Sequence, residues 1–124
     1  MGCEDIIQMF FHMQLNIKLY HWQTKSYARH KATDDLLGNL SDLVDKFIEV
    51  YMGRYKRPDF SEGFTVIVDE LTDESAKRLI ENYITILKTK VPKYLKKESD
   101  TDLLNIRDEM LENFNKTLYL FTLE

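Results

Sequence analysis

Apolar residues recur along this chain with the spacing of helices. Ile6, Phe10, Met13, Ile17 and Tyr20 repeat every three or four residues, which predicts a helix over 4–23. Ile7, Phe11 and Leu15 run beside them, and so broad an apolar face predicts cover from two neighbouring elements. Leu36, Leu40, Leu43, Phe47 and Tyr51 line a second helix over 26–55, closed by Gly53 and then Pro58. The stretch 58–72 reads as an extended connection in which Phe64-Thr65-Val66-Ile67-Val68 forms a short strand. A third helix opens near Asp73-Glu74, where carboxylates suit the positive helix end, and carries Leu79, Tyr83, Leu87 and Val91. Pro92 kinks or ends it, because its ring removes the hydrogen bond to the Lys88 carbonyl. Ser99 or Asp100 caps a fourth helix, with Asp102 near its start and Leu103, Met110, Phe114, Leu118 and Phe121 along it.

The connections set the topology. The link around 24–27 is short enough to force the first two helices antiparallel. The second helix is ~40 Å long, and some fifteen extended residues reach ~50 Å, enough to travel back along the bundle. The expected fold is therefore all-α: a ferritin-like four-helix bundle with a long crossover between helices two and three, one domain over 1–124.

Composition narrows the setting. The 124 residues suit one core, and a hydrophobic fraction of 44% is that of a globular chain. No apolar run approaches the ~18 residues of a membrane span, which predicts no membrane partner. The first residues lack the basic stretch of a secretory signal, and the single cysteine, Cys3, fits a reducing compartment, so a cytoplasmic location is expected. A net charge of −4 argues against nucleic acid as a partner. The basic clusters Arg54-Tyr55-Lys56-Arg57 and Lys93 to Lys97 read as solvated helix ends, with an anionic partner as the alternative.

Chemistry concentrates between residues 21 and 49. Two of the three histidines, His21 and His30, stand near Asp34, Asp42, Asp45 and Glu49. Imidazole nitrogens with carboxylate oxygens make a donor set for Fe(II), Zn or Mn. Asp45 and Glu49, four apart, project from one helix face, as they also would if they were only a solvated surface. His30 and Asp45 differ by ~60° in azimuth but by ~22 Å along the axis, so one ion cannot touch both within a chain. A shared site needs two copies whose second helices run antiparallel about an axis near residue 38. Residue 38 is Gly, which costs a helix interior ~1 kcal/mol relative to Ala. Close backbone approach would explain it; an incidental surface glycine is the other reading. His12 lies ~180° round the helix from His21 and cannot join it. Met9 and Met13 read as core fillers, and Trp22 as packing.

His21-Trp22, then His30 with Asp34 one turn later, then Asp45-x-x-x-Glu49, resemble the His-Trp, second His and Asp-x-x-x-Glu of Dps-type mini-ferritins, over about residues 15–52. The chain also looks like short ferritin-like proteins of phages and large DNA viruses. The resemblance implies a ferroxidase centre between two-fold-related subunits. His21 and His30 would come from one chain, Asp45 and Glu49 from its partner, and Asp34 would orient or supplement them. Iron would be the metal, with Zn or Mn as alternatives, and the assembly a homodimer through helix two or a larger cage. The Lys-rich N-terminal tail that carries DNA binding in that family is missing here, and so is the Glu-x-x-His motif of an intra-bundle di-iron site. A function from a different class stays open: a degenerate ferritin-like bundle serving as a dimeric binding or virion-associated structural module.

Overall fold

These apolar periods become four helices in the computed structural model, which describes residues 3–123. Helix α1 spans Glu4–Gln23, α2 Tyr27–Arg54, α3 Asp73–Thr89 and α4 Thr101–Phe121. Local chemistry sets their ends. The Ser26 hydroxyl accepts from the Arg29 amide at the start of α2. Thr72 and Ser75 exchange side-chain and backbone hydrogen bonds as a capping box at the start of α3. Pro92 sits in a 3-10 turn, Val91–Tyr94, immediately after α3 stops, as its missing amide requires. No helix among the described residues is long and apolar enough to cross a membrane.

Contacts at both ends give the direction of every element. The Asp59 amide donates to Glu4 (3.0 Å), so the long connection begins at the start of α1. Tyr20 donates to Asp73 (2.7 Å), so that connection delivers α3 to the end of α1. Tyr94 donates to Asp5 (3.0 Å), which returns α3 to the first end. Helix α4 leaves from beside Arg54 and finishes with Phe121 against Tyr20. Thus α1 and α4 run one way, and α2 and α3 the other. Helix α1 packs on α2, α2 on α4 and α4 on α3, while α3 meets α1 along a looser seam. Ile6, Phe10, Met13, Leu36, Leu40, Phe47, Ile80, Leu87, Leu103, Met110 and Phe114 fill the interior. The long crossover is present.

Three expectations need correction. Residues 64–68 form no strand, since no second strand lies alongside. The Asn16 side chain takes that role, donating to the Ile67 carbonyl (3.0 Å) and accepting from the Asp69 amide (3.0 Å), as one rung of a ladder would. The Phe11 and Leu15 edge of α1 is only partly covered: Phe64 stacks on Phe11 at 5.7 Å, yet Phe11 and Leu15 stay exposed. Asp100 precedes α4 but its carboxylate does not cap it.

That carboxylate is instead fully buried and ties three segments together. It accepts from Arg54 (2.8 Å), the Tyr55 hydroxyl (2.5 Å) and the Lys96 amide (2.7 Å). Arg54 also clamps Asp102 through both nitrogens, at 2.9 and 2.7 Å. Burial alone pushes the Asp100 carboxyl up, but the Lys96 amide, Tyr55 and Arg54 together outweigh it and hold it below the ordinary value of 3.8. The sign follows from linkage: stabilisation is complete above that ordinary value and is lost as pH falls through the lower folded one. Asp100→Ala should cost about 3 kcal/mol by stranding buried partners. Thermal melts from pH 7 to pH 2 should show a shallower acid limb for Asp100→Ala than for wild type. Parallel limbs would mean that Asp100 is not a paired carboxylate.

Candidate metal centre

Tyr20 and Arg29 precede the two candidate histidines, and their buried contacts set how those histidines meet. Arg29 donates to the Tyr20 hydroxyl (3.0 Å) and to the Asp73 carbonyl (2.7 Å), and its guanidinium lies 4.3 Å from the centre of the Phe121 ring. Tyr20 passes its own hydrogen to the Asp73 carboxylate. Burial, then the hydrogen bond to Asp73, pushes the Tyr20 hydroxyl up to about 12. These contacts fix the rotation of α1 against α2. One residue further along each helix, His21 and His30 stack with ring centres 4.0 Å apart and planes 16° apart.

Both rings are held through Nδ1. The His30 Nδ1 donates to the His21 carbonyl (2.9 Å), which requires the hydrogen on Nδ1. The His21 Nδ1 lies 2.9 Å from the Thr33 hydroxyl, whose single hydrogen is directed at the carbonyls of Arg29 (2.8 Å) and His30 (3.1 Å). With that hydrogen on either carbonyl Thr33 is the acceptor, and His21 then also carries its hydrogen on Nδ1. In its neutral form each imidazole then has a free lone pair on Nε2, the state of a histidine whose other nitrogen is fixed by a hydrogen bond. Among the described residues the one buried side-chain polar atom without a partner is Gln23 Oε1, so both Nε2 atoms keep contact with solvent. Burial first, and then the neighbouring His30, lower the His21 pKa from its ordinary value of 6.5.

The remaining candidates lie apart. Asp34 is exposed, one turn beyond His30, close enough for its charge to act on His21. Asp45 and Glu49 are exposed on the outer face of α2 and take no side-chain hydrogen bond or ion pair among the described residues. Asp45 is still ~22 Å along the helix from His30, because α2 is continuous between them. Among the described residues no three of His, Cys, Asp or Glu come together to hold a metal ion. The near-parallel rings impose a further condition. Lone pairs lie in their ring planes, and one ion cannot lie in both planes, so one ring must turn before both can bind it. Gly38 lies on the outer face of α2, and a Cβ built there meets nothing within 4 Å. Nothing in its own chain requires glycine.

Trp22 is not packing, as the sequence led us to expect; it is 67% exposed, with the Lys18 ammonium 5.3 Å from its ring centre. Sequence reasoning also missed Thr33, Tyr20 and Arg29. The only signal was placement: Thr33 lies one turn beyond His30, while Tyr20 and Arg29 each precede a histidine.

The tautomer assignment can be checked directly. Nitrogen-15 correlation spectra at neutral pH should place the hydrogen on Nδ1 of both His21 and His30, and an Nε2–H form at either would break the arrangement. In the same titration His21 should protonate below 6.5. The stability it contributes as a neutral ring is then full above that value and erodes as pH falls below it.

A protein of Enterobacteria phage T4, named "Uncharacterized 14.6 kDa protein in mobD-ri intergenic region", is 40% identical over 77 residues, covering 55% of this chain and 56% of that protein. The chain thus spans about half the length of this curated relative. No solved structure gives a significant match. Residues 21–121, most of the chain and the part that contains all five candidate ligands, match the family described as "Family of unknown function (DUF5856)", and the chain belongs to that family.

Proposed function

We propose that two copies of this chain, joined across the outer face of α2, form a Dps-like ferroxidase-type site that oxidises or sequesters Fe(II). The observation that carries this reading is the stacked His21–His30 pair, with both Nδ1 atoms hydrogen-bonded and both Nε2 atoms without a protein partner among the described residues. The directions of the helices and the long crossover fit a ferritin-like bundle. On this reading His30, the more exposed ring, gives up its Nδ1 bond to the His21 carbonyl and turns so that its Nε2 and that of His21 address one ion. Asp45 and Glu49 of the second copy supply charge and oxygens, and Asp34 adds a carboxylate at the rim. Fe(II) is the substrate: each ion gives one electron, and a peroxide molecule reduced to water takes two. Zn or Mn would occupy the same donors without this turnover. Such a protein would work in a host cytoplasm or a virion, as a dimer or a larger cage.

A second reading is a non-catalytic dimeric binding or virion-associated structural module. The exposed Phe11, Leu15 and Trp22 on one side of α1 favour it, since an apolar stripe suits a protein interface whether or not metal binds. Ferrous iron with dioxygen or peroxide, followed optically, separates the two: no oxidation above the protein-free rate leaves only the module.

Assembly and ligand geometry are tested by complementation. One variant lacks His21 and His30; another lacks Asp45 and Glu49. Neither homodimer should bind Zn, whereas a doubly tagged heterodimer should recover one site, built from intact histidines of one chain and intact acids of the other. A metal-free heterodimer beside a metal-binding wild type rejects the two-fold site. Asp45→Asn, which keeps the shape and removes the charge, should weaken Zn binding at least ~10-fold in calorimetry, or ~1.4 kcal/mol. Gly38→Leu should raise helix propensity by up to ~1 kcal/mol yet abolish the dimer in ultracentrifugation. An intact Gly38→Leu dimer would exclude this helix crossing.

A further inference from the structure

On the opposite side of α1 from its seam with α2, the loose contact with α3 leaves a groove of about 790 Å³, within the size range of small-molecule sites. The crossover forms its third wall, at residues 65–67. A second hollow of about 620 Å³ shares Asp5, Met9 and Lys90 with it and adds Lys93, so the two are continuous. We propose that this groove binds a medium-chain carboxylate, its acyl chain along α1 and α3 and its head at Lys90 and Lys93.

The walls suit an acyl chain. Met9 comes from α1, with Met13 fully buried beneath it, Leu79 and Ile86 come from α3, and Ile67 comes from the crossover, where it is 66% exposed. Met9 is unbranched and adapts to the outline of a flexible chain. The buried hydroxyl in the groove is already engaged. The Tyr83 hydroxyl lies 2.8 Å from the His12 Nδ1 and 3.2 Å from the His12 carbonyl, so a chain laid over it strands no buried hydroxyl. From Asp5 to Met13 the lined face of α1 runs about 12 Å, which matches about ten carbons rather than a long lipid tail.

The head group follows from charge. Lys90 and Lys93 are both exposed at the lower end, against one carboxylate, Asp5, which is engaged by the Tyr94 hydroxyl (3.0 Å). The upper end, at Ile67 and Leu79, has no lysine or arginine among its lining residues. An anion at the lower end with its apolar tail above therefore satisfies both halves. The groove shares no residue with the His21–His30 pair, so it stands apart from the metal reading.

Calorimetry with decanoate below its micelle concentration should give one saturable site per chain, weakened by added salt. Lys90→Glu with Lys93→Glu should weaken it at least ~10-fold, as should replacing decanoate by the neutral decanamide. Ile86→Trp, which fills the groove, should remove binding while circular dichroism shows an unchanged helical fold. No saturable decanoate binding overturns the proposal, as does equal affinity for decanamide. Equal affinity in the lysine double variant, whose changes lie on the surface, also overturns it. Co-sedimentation with phosphatidylglycerol vesicles without binding of free decanoate would overturn it in favour of a membrane surface.

Discussion

The buried guanidinium of Arg29 is the constraint on which the upper half of this protein depends. An unpaired charge in that position would cost several kcal/mol, so its partners must be in place whenever the chain is folded. Those partners come from everywhere the bundle has to close: Tyr20 on α1, the Asp73 carbonyl on α3 and the Phe121 ring on α4. The Arg29 contacts therefore set the azimuth of α1 against α2, and they also fix where the crossover delivers α3. Because His21 and His30 each follow one of these residues, their meeting is a consequence of the same contacts. The lower end is closed by the same means with the sign of charge reversed: a buried carboxylate, Asp100, gathers Arg54, Tyr55 and the Lys96 amide.

Between these two ends the crossover is the least regular part of the chain and is held mainly by side chains. A segment this long with no strand partner would leave backbone groups without hydrogen bonds where it lies against the bundle. Asn16 answers part of this by offering a donor and an acceptor at the spacing of a peptide unit. Its burial, unusual for an asparagine, follows from that duty. The cost appears on the other side of the crossover, where α1 and α3 cannot close fully and a groove remains.

Periodicity made the helices legible, and the length of the middle connection made the crossover legible. Both depend on short-range rules that hold whatever the partner. What escaped depends on tertiary partners. The apolar run at 64–68 carries a strand's composition, but a strand exists only when another chain segment bonds to it. Asp100 has the identity of a cap, yet a buried carboxylate goes to the strongest donors available, and Arg54 with Tyr55 outbids a helix amide. Trp22 looks like packing by its size alone, but its azimuth on α1, shared with Phe11 and Leu15, points away from the core. Of the candidate ligands, His21 and His30 were placed together in the sequence only by the resemblance of their motif. The tautomer of each ring was not legible there, because it depends on Thr33 and on a carbonyl whose position only the folded chain defines.

Helix α2 settles what this chain can do alone. It runs unbroken from Tyr27 to Arg54, so the separation of His30 from Asp45 is set by the rise of a helix rather than by any adjustable loop. No movement within one chain that keeps α2 intact brings these groups to one ion. The outer face of α2 carries Asp34, Asp42, Asp45 and Glu49, all exposed, and none of them takes an ion pair among the described residues. Acids left in this way repel one another mildly and gain nothing from their own fold. A second copy brought antiparallel across Gly38 would bring its acids against this chain's histidines at two equivalent places. Metal would then act as part of the interface, binding each copy through groups that the other lacks locally. In that arrangement assembly and metal affinity rise and fall together, since every ion bound to the dimer but to neither monomer lowers the free energy of association by its own binding term.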